Sequence, residues 1–125
     1  MKLPQELAQE SSDNFLDTFK NLYEHSPWFV EQSLALVLAD EKYNILENFH
    51  QLLTEITLSA DSEIQNNLIT AHPMLAGKKA LNNELTDFST SEQKSAGLNN
   101  CSDDEIKLFE SLNDEYFSKF NFPFI

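Results

Sequence analysis

Apolar side chains return every three or four residues through almost the whole chain, a spacing that gathers them on one side of a helix. Phe15, Leu16, Phe19, Leu22 and Tyr23 follow the start signal Ser11-Ser12-Asp13. Ser26-Pro27 has the form of an N-cap followed by proline at the first helical position, and predicts a helix running to Val37 or Leu38. Leu46, Phe49, Leu53 and Ile56 make a further stripe, with His50 packed on the same side. Asp61 and Ser62 start a helix that carries Ile64, Leu68 and Ile69. That helix has to stop near His72, because a residue before proline is pushed toward extended backbone. Ser89 with Glu92, and Ser102 with Glu105, each match a capping box. The second opens the strongest stripe, Ile106, Phe109, Leu112, Tyr116, Phe117 and Phe120. No segment alternates with the two-residue period of a strand. The expectation is an all-α fold, a compact bundle of about five to seven helices forming one domain over residues 1–125.

With 41% hydrophobic residues, ten of them Phe, the chain can bury a core, yet no apolar run approaches the roughly 20 residues a spanning helix needs. The start, Met1-Lys2-Leu3-Pro4-Gln5-Glu6, lacks the apolar centre of a signal peptide. A lone Cys101 fits a reducing compartment. These features point to a cytoplasmic protein. Twenty-one acids against eight lysines give a net charge of −13, which repels phosphate backbones and anionic lipid, so neither nucleic acid nor a membrane is an expected partner. Three scattered His and one Cys offer no metal-ligand spacing, and no glycine-rich phosphate loop is present. The expectation is no metal and no cofactor.

Only two glycines occur, Gly77 and Gly97, and a glycine-poor chain keeps such residues for unusual backbone geometry. Both fall in the stretch that also holds His72-Pro73 and Glu92-Gln93. Residues 73–88, with Gly77, Asn82 and Asn83, read as a partly ordered connection of the length that often carries function. An imidazole such as that of His72 can exchange a proton near neutral pH, though it can equally cap its own helix or pack beside Pro73. Glu92 can bond back to the Ser89 amide as a cap, and Phe124 and Ile125 can be simple packing residues.

Five ordered pieces choose among these readings. Ala71-His72-Pro73-Met74-Leu75-Ala76-Gly77-Lys78 and Ser89-Thr90-Ser91-Glu92-Gln93-Lys94-Ser95-Ala96-Gly97-Leu98 resemble the two signature motifs of the OHCU (2-oxo-4-hydroxy-4-carboxy-5-ureidoimidazoline) decarboxylases. Glu24-His25-Ser26-Pro27-Trp28, Leu112-Asn113 with Tyr116, and Lys119-Phe120-Asn121-Phe122-Pro123-Phe124-Ile125 agree with the same family. The resemblance implies loss of CO₂ from a ureidoimidazoline to give (S)-allantoin in urate breakdown, without a cofactor and in a homodimer. It implies His72 and Glu92 as catalytic groups, and Pro73, Ser89, Thr90, Ser91, Gln93, Phe124 and Ile125 as substrate-binding positions. Trp28 and His25 belong to one of these pieces, but they read mainly as structure, helix entry and an aromatic anchor. Family members continue into a C-terminal helical segment that supplies an active-site arginine; the 125 residues contain no arginine, and Met74 and Asn121 stand where an acid and a glycine are usual. Asn121 tolerates left-handed backbone. The alternative reading is a catalytically silent helical domain that binds a ureido ligand or a protein partner.

Overall fold

A proline, with no hydroxyl residue before it, opens the first helix. The computed structural model describes residues 2–82 and 84–125, with Lys78 and Lys79 described by their backbone alone; Met1 and Asn83, named above, lie outside the described residues. Helix α1 spans Pro4–Glu10, with proline at its first position and the Glu6 carboxylate accepting the Leu3 N–H at 3.0 Å. Ser11 closes α1 and opens α2, Ser12–Phe19: its N–H donates to the Leu7 carbonyl, and its hydroxyl accepts the Asn14 N–H at 3.3 Å. Leu22 and Tyr23 therefore lie beyond α2, and Leu22 is exposed. Helix α3, Trp28–Ala39, starts with Pro27 in helical geometry as its cap. Ser26 does not cap; its buried hydroxyl donates to the Glu24 carbonyl at 3.0 Å. A 3-10 turn, Glu41–Asn44, leads to α4, Leu46–Ser59, and α5 covers Ser62–Ala71.

The chain divides into two compact units, one up to Gln65 and one of Asn66–Ile125. In the first, α1 packs on α2 and α3, and α3 on α4. Phe15, Phe29, Val30 and Val37 are fully buried, joined by Ala8, Phe49, Leu52 and Leu53. The Phe15, Phe19 and Phe49 rings meet at 4.9–5.8 Å between centroids, in tilted or edge-on pairs. Each fully buried Phe or Val contributes about 1.5–3 kcal/mol. Buried Gln5 ties α1 to the 3-10 turn by donating its N–H to Asn44 Oδ1 at 3.0 Å. Trp28 is half-buried against this core and meets the Phe29 ring edge-on at 6.1 Å, an anchor as expected. His50 is exposed, contrary to its reading as a packed histidine: the buried face of α4 runs through Phe49, Leu52 and Leu53, and His50 is turned off it.

The second unit holds the one-turn helix α6, Lys78–Leu81, then α7, Asp87–Ser95, a 3-10 turn at Leu98–Asn100, and α8, Asp103–Phe120. Helix α8 begins with the expected capping box: Glu105 accepts the Ser102 N–H at 2.8 Å, while the Ser102 hydroxyl accepts the Glu105 N–H at 3.3 Å. It ends at Asn121, left-handed at φ 61, whose N–H returns to the Phe117 carbonyl. The capping box expected at Ser89 and Glu92 is absent. Thr86 caps α7 instead, its hydroxyl accepting the Ser89 N–H at 3.4 Å, so Ser89 is already inside the helix. Tyr116 gathers the rings of Phe120, Phe122 and Phe124 at 4.5–5.8 Å. Seven α-helices of seven residues or more, the short α6, and no strand among the described residues make the fold all-α.

Candidate active site

His72 stands one residue past the end of α5, as the following proline requires, with its N–H donating to the Ile69 carbonyl at 3.2 Å. The ring is half-buried, and its Nδ1 lies 3.1 Å from the Pro73 carbonyl oxygen. A carbonyl can only accept, so this contact puts a proton on Nδ1 and leaves Nε2 as the exchangeable nitrogen. Pro73 itself is buried.

The chain then folds back through Met74–Gly77, closed by the Gly77 N–H donating to the Met74 carbonyl at 3.2 Å. Ala76, buried, takes the left-handed position at φ 46, a geometry that costs an alanine about 1–2 kcal/mol. Gly77 answers a different need: a Cβ there would lie 3.0 Å from Met74 Cβ and 3.2 Å from the Met74 carbonyl oxygen. Gly97 is the glycine that takes left-handed backbone, at φ 78, where α7 ends.

Two amide side chains hold the strained turn. Gln93 on α7 accepts the Ala76 N–H at 3.1 Å and donates to the Met74 carbonyl at 3.2 Å. Asn113 on α8, buried, donates to the Leu75 carbonyl at 2.9 Å. Three consecutive residues of the turn are thus hydrogen-bonded by side chains from two helices.

Turn and helix enclose a cavity of about 410 Å³. His72, Pro73, Met74, Ala76 and Gly77 line it from one side, and Ile106, Glu110, Asn113, Asp114 and Phe117 from α8, with Pro123 at its end. The α8 residues fall at three-to-four spacing, so one helix face supplies them. Among the described lining side chains, His72 is the one group able to carry positive charge, and Glu110 and Asp114 are the acids. The cavity can therefore pair a proton-transferring imidazole with acceptors for N–H donors. Among the described residues, no group of three His, Cys, Asp or Glu is placed to hold a metal ion.

Of the residues expected at a site, the cavity brings together His72 and Pro73, and Gln93 reaches the same turn by hydrogen bonds. Ser89, Thr90, Ser91 and Glu92 lie on α7 outside its lining, and Thr90, Ser91 and Glu92 are exposed. Phe124 lines a separate groove with Leu75, Tyr116 and Phe120, and Ile125 is exposed. Sequence reasoning passed over Glu110 and Asp114, and took Asn113 only as part of a family motif. A further signal was polar spacing i, i+3 and i+4 beside the apolar stripe of α8.

Comparison with known proteins bears on the same residues. The chain is 37% identical over 120 residues to the uric acid degradation bifunctional protein PucL of Bacillus subtilis, covering 96% of this chain and 23% of that protein. It is 31% identical over 121 residues to the 2-oxo-4-hydroxy-4-carboxy-5-ureidoimidazoline decarboxylase of Halalkalicoccus jeotgali, covering 97% of this chain and 64% of the other. The corresponding Haloferax volcanii protein is also 31% identical, over 97% of this chain and 67% of its own length. The chain thus spans between about a quarter and two thirds of the length of these curated relatives. The model of the family described as OHCU decarboxylase matches residues 8–125, taking in His72, the clamped turn, both clamping helices and the aromatic end of α8. The chain belongs to the OHCU decarboxylase family.

Proposed function

We propose that this chain decarboxylates 2-oxo-4-hydroxy-4-carboxy-5-ureidoimidazoline to (S)-allantoin in urate breakdown, without a cofactor. The observation that carries the proposal is His72, held by the Pro73 carbonyl with Nε2 as its exchangeable nitrogen, in the lining of a cavity of about 410 Å³. Family membership and the printed names of the relatives support the choice of substrate.

The chemistry asks little of a protein. The bond between the ring carbon and its carboxylate breaks, CO₂ leaves, and the electron pair moves into the adjacent imine. One proton then arrives at the carbon bearing the ureido group, while the ring hydroxyl becomes a carbonyl and its proton passes to the former imine nitrogen. The imine itself accepts the electrons, so the protein's work is to orient the carboxylate, stabilise developing charge and protonate one face. In this proposal His72 delivers the proton, and its cationic form attracts the carboxylate. Glu110 and Asp114 accept from ureido and ring N–H groups. Gln93 and Pro73 set the wall beside the ligand.

The same proposal carries a cytoplasmic setting, suited to the free Cys101, and a homodimer, for which exposed Phe120, Phe122 and Phe124 provide apolar surface. The test is His72→Asn, assayed on freshly generated substrate by circular dichroism as allantoin forms. Loss of a general acid should lower kcat by about 10²–10⁴-fold and abolish optical purity. Unchanged enantioselective turnover would overturn the assignment.

A further inference from the structure

Asn113 has no place in the proton transfer, yet among the described residues it is the most buried polar side chain of the second unit, and it bonds to a backbone carbonyl 38 residues away. The backbone between that carbonyl and His72 has little freedom left. The proline ring fixes φ at Pro73, so the direction of the Pro73 carbonyl depends on ψ at Pro73 and on the peptides that follow. Those peptides are the clamped ones. Gln93 holds the Met74 carbonyl and the Ala76 N–H, and Asn113 holds the Leu75 carbonyl between them. The Pro73 carbonyl in turn accepts from His72 Nδ1. Ala76 is held left-handed, so the turn stores strain that would drive it to relax if a clamp were removed.

We propose that Asn113 is a positioning residue: with Gln93 it locks the Met74–Ala76 turn, and through the Pro73 carbonyl it fixes the tautomer and direction of the His72 ring. The inference rests on the reading of His72 as the proton-transfer group only for its effect on turnover; the orientation of the ring is measurable without substrate. Removing the clamp frees ψ at Pro73, lets the carbonyl swing from Nδ1, and lets the imidazole exchange tautomers.

The experiment compares the full chain with Asn113→Ala and Asn113→Asp. The aspartate matches asparagine in size, and its carboxylate at neutral pH cannot donate to the Leu75 carbonyl. Nitrogen NMR of histidine-labelled protein reports the proton distribution on each ring, with exposed His25 and His50 as internal references. The wild-type His72 ring should carry its proton on Nδ1. Both variants should show a mixture of tautomers at His72, with His25 and His50 unmoved. In the assay of allantoin formation, kcat should fall about 10–100-fold with KM within about twofold, because misplacing a group by about an ångström acts on the chemical step. Asn113→Asp decides the matter if Asn113→Ala does not fold. A folded variant that keeps the wild-type His72 tautomer and kcat overturns the proposal. Loss of folding in both variants overturns it too, since Asn113 would then serve folding alone. A wild-type chain that does not accelerate allantoin formation defeats the proposed function instead, and leaves the NMR result to judge the clamp.

Discussion

In the unit up to Gln65 the fully buried side chains include Phe15, Phe29, Val30 and Val37, whereas in Asn66–Ile125 the buried positions among the described residues are Pro73, Ala76, Asn113 and Pro123. The first unit keeps water out with rings and branched chains. The second presents Leu108, Leu112, Phe120 and Phe124 outward and reserves its most enclosed polar position for an amide that bonds to backbone. Apolar burial is strong but has no direction, so it brings helices together without fixing the angle of any peptide. A hydrogen bond weakens steeply off its axis, so it fixes orientation at a modest net gain. The candidate site lies where orientation is controlled, in the unit that is poorer in core.

The sharpest way to break this contrast is Phe29→Ala. Phe29 is fully buried and touches both Tyr23 and Trp28 with its ring, at centroid distances of 4.4 and 6.1 Å. Truncation should destabilise the protein by about 3–5 kcal/mol, read from the urea midpoint. Asn113→Ala, which orphans the Leu75 carbonyl, should cost about 1–3 kcal/mol by the same measure. A larger loss at Asn113 than at Phe29 would mean that the second unit, and not the first, carries the stability. The contrast would then have to be withdrawn.

The same division explains which parts were legible in the amino-acid sequence. The start of helix α8 was readable to the residue, because Ser102 and Glu105 act within one helix turn. Identical grammar misled at Ser89 and Glu92: Thr86, three residues earlier and extended at ψ 159, took the cap, and no local rule ranks two hydroxyl residues so close together. Helix α1 went unread because its capping residue is Leu3, which offers no hydroxyl. His72-Pro73 was legible because a proline acts on its neighbour. The family motif marks Asn113, but its burial was not legible, because the stripe assigned burial to Leu112, which is 53% exposed, while the adjacent asparagine is 7% exposed. Its burial depends on a turn 38 residues away, and a helical period cannot say what packs on it. The glycines were recognised as special, but the turn at 74–77 put its left-handed residue at Ala76 and kept Gly77 for close approach.

Gly77→Ala tests that last distinction and has the next largest effect. The new methyl would meet Met74 Cβ at 3.0 Å, so Met74 has to shift, and with it the carbonyl that Gln93 and the Gly77 N–H both engage. The expected cost is about 1–3 kcal/mol of overpacking. If the second unit is built on orientation, the loss should reach His72: its ring nitrogen spectrum should change in the same sense as in Asn113→Ala. A stability loss with an unaltered His72 spectrum would show that the turn tolerates displacement, and would weaken the contrast between the units.

The smallest effect belongs to a charge in the first unit. Asp40 caps the 3-10 turn; the Lys42 N–H donates to its carboxylate at 3.0 Å, and the Lys42 ammonium sits 3.2 Å away. The backbone hydrogen bond from Lys42, followed by its side chain, holds the Asp40 carboxyl below its ordinary value, and the Lys42 ammonium is raised in return, first by Asp40. A carboxylate lowered by folding stabilises the folded state above its unfolded pKa, and that stabilisation is lost as pH falls through the folded value. Asp40→Asn keeps the cap and removes the charge. Its unfolding midpoint should sit slightly below wild type at neutral pH and merge with wild type below the ordinary carboxylate range. High salt should erase the neutral-pH difference, because the pair is exposed and screened. In a unit held by apolar packing, a polar contact of this kind should move neither the fold nor the site. A large drop at neutral pH would mean that hydrogen bonding to backbone carries the first unit as well.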